Sequence, residues 1–277
     1  VVNVHLPQVV LLTDFGLDDA YVGIMKGVMR SICASVQFID LTHAVQPFHI
    51  RQAAWILGNA LQFMPEDAVF LCVVDPGVGS SRKPIAVRTP KHFFVGPDNG
   101  LFTAVLLAAA NCEIRVVTNP ALMLDSPGHT FHGRDIFAPV AAYLAQGTAF
   151  EFVGEYLADE PVLLHEFAPE ISAGYAAGEI MTIDQYGTAI TNIGPATWTS
   201  DGKVELAGNV LRPEYIVLNG LEREFAGILR TFSDVERHFP IMLIGSSQTI
   251  ELGMREGNAA QRFGWRIGDR VTLKWSE

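Results

Sequence analysis

The sequence predicts an N-terminal α/β domain with a mainly parallel sheet, followed by a C-terminal all-β, barrel-like domain. Three observations predict it. Strand and helix signals alternate through the first half, and short runs punctuated by Gly, Asn and Asp replace them from Gly178 onward. Between the two lies Asp159–Ser172, which is acidic, contains Pro161 and Pro169, and has no period. The expected boundaries are 1–165 for the α/β domain and 172–277 for the small antiparallel β-barrel. A chain of 277 residues accommodates both.

In chain order, Val9–Thr13 is a short apolar run ending at Asp14 and reads as a strand. Tyr21–Cys33 carries a helical rhythm, Val36–Leu41 a second strand, and Ile50–Phe63 a second helix stopped by Pro65. Ala68–Val74 is a run of seven apolar residues cut off by Asp75-Pro76-Gly77, the pattern of a strand buried on both faces. Ile85–Arg88 and His92–Val95 form a strand pair, Leu101–Ala110 a helix, Ile114–Val117 a strand, and Asp135–Gln146 a helix. The second domain has strand signals at Glu179–Ile183, Ala189–Ile193, Lys203–Leu206, Val210–Leu218, Ile241–Ile244, Thr249–Leu252 and Arg270–Lys274.

Composition narrows the function. With 19 Lys and Arg against 30 Asp and Glu, the net charge of −11 argues against a nucleic-acid or anionic-membrane binder, which needs clustered cations. Cys33, Cys72 and Cys112 are odd in number, lie in or beside apolar stretches and form no CxxC pair, so free buried thiols and a reducing, cytoplasmic setting are expected. No apolar run reaches membrane-spanning length, and Val1–Pro7 lacks the pattern of a signal peptide.

The chemistry concentrates at predicted strand ends, where open α/β sheets bind ligands. Asp14, with Asp18 and Asp19 close behind, ends the first strand; Asp40, Asp75 and Asp184 end others or follow them. A strand-terminal carboxylate matches a ribose diol, two donors on one acceptor group. Asp18 or Asp19 equally suits capping of the helix from Tyr21. Asp75 carries Arg82 seven residues on in the same loop. In Phe131-His132-Gly133-Arg134-Asp135, Asp135 suits a helix N-terminus, and His132 projects from the loop as a group that moves protons near neutral pH. A metal site using Asp14, Asp75, His132 and Asp135 has no diagnostic spacing. Neither a GxSxG elbow nor a GxGxxG after the first strand is present.

Six ordered stretches together resemble one family. They are Leu12-Thr-Asp-Phe-Gly16, Tyr21-Val-Gly-Ile-Met-Lys-Gly27, Asp75-Pro-Gly-Val-Gly79, Gly96-Pro-Asp-Asn-Gly-Leu-Phe102, Thr130-Phe-His-Gly-Arg-Asp-Ile-Phe137 and Gly245-Ser-Ser247. They look like the S-adenosylmethionine hydroxide adenosyltransferases, relatives of fluorinase and chlorinase. The likeness runs from about Val9 to Val271. It implies hydrolysis of S-adenosyl-L-methionine to adenosine and L-methionine, no cofactor, and a homotrimer with sites at subunit interfaces. It implies Asp75, Arg82 and His132 as the catalytic set.

The resemblance further implies Asp14 on the ribose diol, Asp19 on the methionine ammonium, Phe48 over the ribose and sulfonium, and Phe131 at the reacting centre. From the second domain it implies Asp184 and the Gly187 turn on the methionine and adenine side, Phe232 stacked on adenine, Ser246 and Ser247 on the methionine carboxylate, and Asn258 and Ala259 reading adenine by backbone. Two positions depart from relatives. Thr188 stands where an Asn reads the adenine edge, and Ser247 where halogenases carry Arg. Fluorinase-type sites carry tyrosines at the Asp75 and His132 positions, a Ser near Gly133, and a long insertion. This chain has none of these, and a carboxylate beside the nucleophile repels halide, so water is the expected nucleophile. The alternatives are a non-catalytic adenosine or S-adenosylmethionine binding module, a 5′-halogenase and a metal hydrolase.

Overall fold

A computed structural model describes residues 6–125, 128–165, 167–220 and 223–275. The chain divides into two compact units at Leu164/His165.

The first unit holds strands β1 (Gln8–Thr13), β2 (Gln37–Thr42), β3 (Val69–Val73), β4 (Pro84–Arg88), β5 (Phe93–Pro97) and β6 (Glu113–Val116). Its helices are α1 (Tyr21–Ile32), α2 (Ile50–Ala60), α3 (Thr103–Ala108) and α4 (Ala138–Ala145). The sheet order is β2-β1-β3-β5-β4-β6. β2, β1, β3 and β5 run parallel, while β4 pairs antiparallel with both β5 and β6. The sheet is therefore mixed, with the parallel part where the apolar runs are longest. Every residue of β3 is buried. Alternate side chains serve two cores: Val69, Leu71 and Val73 join Met25, Met29 and the α4 residues on one face, and Phe70 and Cys72 join Ala53, Leu57 and Val105 on the other.

The expected N-cap at Asp18 or Asp19 is not found. Ala20 occupies that position with no side-chain cap, and both acids are exposed. The helix expected over Asp135–Gln146 begins instead with a π-helical turn, Gly133–Phe137, before α4. Cys33 and Cys72 are buried as expected, but Cys112 is exposed, because it lies in the turn before β6.

The second unit has strands β7 (Glu170–Ser172), β8 (Tyr175–Ile183), β9 (Ala189–Thr191), β10 (Ala196–Trp198), β11 (Val204–Leu206), β12 (Asn209–Leu211), β13 (Ile216–Gly220), β14 (Arg223–Ala226), β15 (Pro240–Ile244), β16 (Ile250–Met254) and β17 (Arg270–Trp275), with helix α5 (Ala259–Phe263). The main sheet follows β14-β13-β17-β8-β9-β16-β15, with β7 added to β8, and all of its strand pairs are antiparallel. Leu229, just past β14, bridges Leu243 of β15, so the sheet nearly closes into a barrel. The strand expected over Val210–Leu218 is two strands parted by a 3-10 turn at Pro213–Tyr215, since proline cannot donate to a ladder.

The segment expected as a linker runs over the first unit up to Leu164. The Val162 amide donates to Asp98 Oδ1 (2.9 Å), the Leu164 amide to Thr103 Oγ1 (2.9 Å), and Lys83 pairs with Asp159. Most of Val1–Pro7 lies outside the described residues. Among the described residues no helix is long and apolar enough to cross a membrane.

Candidate active site

β1 and β3 are neighbouring parallel strands with Thr13 opposite Val73, so the acids just past their carboxyl ends gather in one place. Asp14 and Asp75 both line a cleft of about 390 Å³ with Phe15, Tyr21, Phe48, Phe131 and His132. Asn99 completes this end of β3 by donating its side-chain amide to the Val74 carbonyl (2.9 Å).

The loop after Asp75 folds back through Val78 N–H to Asp75 O (3.2 Å) and Ser80 N–H to Gly77 O (3.0 Å), returning Arg82 to Asp75. Arg82 Nε donates to Asp75 Oδ1 (2.9 Å) and Oδ2 (3.0 Å), and Nη2 donates to Oδ2 as well. Both side chains are buried, with 8% and 5% of their surface exposed. Gly79 has a φ of +79°, and a Cβ there would stand 2.8 Å from the His129 carbonyl. A bare backbone at this point lets the loop press against the segment that carries His132.

Arg82 Nη2 also contacts His132 Nδ1 at 2.8 Å. A guanidinium only donates, so Nδ1 is the acceptor and the neutral ring carries its proton on Nε2. Burial holds the His132 pKa below the ordinary histidine value, the Arg82 cation adds to this, and Asp75 and Asp135 oppose it. The ring is therefore neutral near pH 7. The Phe137 ring lies 5.0 Å from the Arg82 guanidinium carbon. Asp135 is held by Arg134 and by the Gly128 amide (2.9 Å), which fixes the turn behind His132.

Burial raises the Asp14 pKa, the Phe48 amide (2.8 Å) opposes this, and Asp75 adds repulsion. Phe48 is 70% exposed at the rim, with a φ of +68°. Phe15, Tyr21 and Phe131 make an aromatic wall with centroids 5.1–5.9 Å apart. Tyr21 was not singled out from sequence; its place at the first position of α1, inside a quoted motif, was the available signal. Asp19 is exposed and does not line the cleft. The four residues of the metal alternative are not gathered as a donor set: Asp75 and Asp135 each accept from an arginine.

The second unit has its own concavity, lined by Asp184, Tyr186, Thr188, Phe232, Glu251 and Asn258. Asp184 Oδ1 accepts from the amides of Tyr186 (2.9 Å) and Thr188 (2.8 Å). The Phe232 ring lies on Gly253, where a Cβ would come within 2.6 Å of it. Asn258 caps α5 through the Gln261 amide (2.7 Å), and Ala259 is fully buried beneath. Ser246 and Ser247 form the turn between β15 and β16. Sequence reasoning missed Glu251. Burial, with repulsion from Asp184, pushes its pKa up to about 7.

Two family models match the chain: the SAM hydroxide adenosyltransferase N-terminal domain over residues 9–154 and the C-terminal domain over residues 178–272. The chain belongs to the SAM hydroxide adenosyltransferase family.

Among its relatives is an (R)-S-adenosyl-L-methionine hydrolase of Thermus thermophilus, 37% identical over 96% of this chain and 98% of its own. One of the same name from Salinispora tropica is 34% identical over 96% of this chain and 97% of its own. A fluorinase of Nocardia brasiliensis is 28% identical over 69% of this chain and 72% of its own. The solved structure of an uncharacterized conserved protein from Thermotoga maritima superposes with a TM-score of 0.85 at 33% identity, covering 96% of this chain and 99% of that one.

Proposed function

We propose that this protein hydrolyses S-adenosyl-L-methionine, water or hydroxide attacking C5′ in an SN2 displacement to give adenosine and L-methionine. The carrying observation is the hydrogen-bonded Asp75–Arg82–His132 set, whose Asp75 and His132 line the cleft that also holds Asp14. Relatives named (R)-S-adenosyl-L-methionine hydrolase along nearly the whole chain support it.

The new bond joins the water oxygen to C5′. The C5′–S pair passes to sulfur, the sulfonium leaves as a neutral thioether, and one proton is released. No general acid is needed at the leaving group. What the site supplies is an oriented nucleophile and a place for its proton. His132 offers an N–H at Nε2 to hold the nucleophile's oxygen. Asp75, hydrogen-bonded to Arg82, keeps a lone pair for its hydrogen. Arg82 favours the hydroxide form electrostatically.

Asp14 receives the ribose diol, Phe48 and Phe131 lie over the ribose and sulfonium, and Asp19 meets the ammonium. In the second unit Asp184, Ser246 and Ser247 serve the methionine end; Thr188, Phe232, Asn258 and Ala259 serve adenine. We assign the domains to 1–165 and 172–277, the assembly to a homotrimer with sites at subunit interfaces, and the location to the cytoplasm. No cofactor is invoked.

The test is turnover of S-adenosyl-L-methionine in ¹⁸O-water. Adenosine carrying the label at its 5′ oxygen is expected. Binding without turnover would instead identify a binding module, and a 5′-halonucleoside formed in chloride or fluoride would overturn the choice of water.

A further inference from the structure

A polar chain runs from a half-exposed Asp40 inward to a buried Thr13, next to Asp14, and takes no part in the proposed chemistry. Lys26 Nζ donates to Asp40 Oδ2 (2.7 Å), Asp40 Oδ1 meets His43 Nε2 (3.1 Å), and His43 Nδ1 meets Thr13 Oγ1 (2.8 Å). Thr13 Oγ1 also accepts from the Phe15 amide (3.2 Å). Thr13 is fully buried and His43 is 5% exposed, so water does not compete for the bond between them, while Asp40 at the other end is half-exposed.

A neutral His43 ring gives these bonds one consistent set of directions. Partial burial works to raise the Asp40 pKa, but the hydrogen bonds from Lys26 and His43 overcome it, and the carboxyl is held below its ordinary value. A carboxylate only accepts, so His43 Nε2 carries the proton. In the neutral ring Nδ1 is then a lone pair, the Thr13 hydroxyl donates to it, and the oxygen accepts from the Phe15 amide. The His43 carbonyl takes the Gly16 amide as well (2.8 Å). His43 thus grips residues 13 and 16, on either side of Asp14, by side chain and by backbone.

We propose that His43, acting through the Thr13 hydroxyl, is a positioning residue that sets the direction of the Asp14 carboxylate toward the ribose hydroxyls. This rests on the assignment of Asp14 to the diol. A group needed only for packing between β1 and β2 would be apolar there, since each buried polar atom must be matched. Here four side chains, Lys26, Asp40, His43 and Thr13, form a chain whose inner end is the residue before Asp14.

The experiment compares kcat and KM for S-adenosyl-L-methionine and its 2′-deoxy analogue, with melting temperature, in wild type, Asp14→Asn, Thr13→Val, Thr13→Ser, His43→Leu and Asp40→Ala. Thr13→Val keeps the shape and removes the hydroxyl. Thr13→Val and His43→Leu should raise KM for S-adenosyl-L-methionine roughly tenfold with kcat within about twofold, the scale of one misaligned hydrogen bond to a charged group. They should affect the 2′-deoxy analogue, which offers Asp14 only its 3′ hydroxyl, clearly less, and Thr13→Ser should restore KM. Asp40→Ala lies at the half-exposed end of the chain, where folding is safest, and should show a smaller loss of the same kind.

Variants that lose melting temperature but keep KM, or that lose equally on both substrates, would overturn the proposal. If wild type and Asp14→Asn both fail to distinguish the two substrates, the diol assignment itself is wrong. That outcome is visible before any Thr13 or His43 variant is read.

Discussion

His132 accepts from a fixed cation at Nδ1, so protonating its ring means placing a second positive charge against Arg82. Since burial and Arg82 already lower its pKa, kcat/KM should fall only in acid, below the ordinary histidine value of 6.5. Asp75 pulls that pKa upward, so Asp75→Asn should move the acid limb to still lower pH while slowing turnover by about 10²–10⁴, as should His132→Ala without the limb. A pH–rate profile of each variant checks this, and unchanged rates would remove both residues from the mechanism.

Glu251 gives a stability signature with the opposite sense. Its folded pKa of about 7 lies above the ordinary 4.5, so the native state binds its proton more tightly than the unfolded chain. Stability is therefore lost as pH rises from about 4.5 to about 7. Glu251→Gln should match wild type at the lower pH and exceed it at pH 8 in urea unfolding; a constant gap would refute the assignment. Glu251 was illegible in the sequence because a polar residue alternating with Ile250 and Leu252 reads as a solvent face. Asp184, the acid that repels it, is far away in the chain, and Gly245, which leaves room for its carboxyl, meets it only once the β15–β16 hairpin has closed.

At the scale of elements, the quoted motifs divide into groups that face the cleft and groups that build it. Gly96-Pro-Asp-Asn belongs to the second kind. Asn99 ties off β3 and Asp98 anchors residue 162, while a Cβ on Gly96 would stand 2.3 Å from the Cys72 carbonyl of the neighbouring strand. Gly96→Ala should cost about 1–3 kcal/mol by overpacking, read as a lower urea midpoint.

The long elements were legible: β1, β3, α1 and α2 lie within a residue or two of their apolar runs, apart from the 3-10 end of the second helix. The three- and four-residue strands β10 and β14 and the five-residue α5 were not, because so few residues carry no readable period. The Thr13–His43 contact was hidden for another reason. Residues thirty positions apart meet only once β1 and β2 have paired. Asp14, Asp75, Arg82 and His132 were readable because each sits at a strand end, in a turn, or where a helix starts, places that local sequence marks.

For the whole molecule, two units each carry a concavity, and each gathers part of the expected residue set: Asp14, Phe48, Asp75, Phe131 and His132 in one, Asp184, Thr188, Phe232 and Asn258 in the other. The proposed homotrimer has a direct measurement. Sedimentation equilibrium should return about three times the 30.2 kDa chain mass, and a monomer at working concentration would refute it.

Phe48 carries a consequence for engineering. A phenylalanine in the left-handed region pays a backbone penalty that glycine would not, and its ring is largely in solvent, so folding gains little from it. Yet its amide secures Asp14, and glycine would keep that amide. A screen for heat resistance alone would therefore enrich Phe48→Gly, and those winners would have lost the aromatic ring at the rim of the cleft.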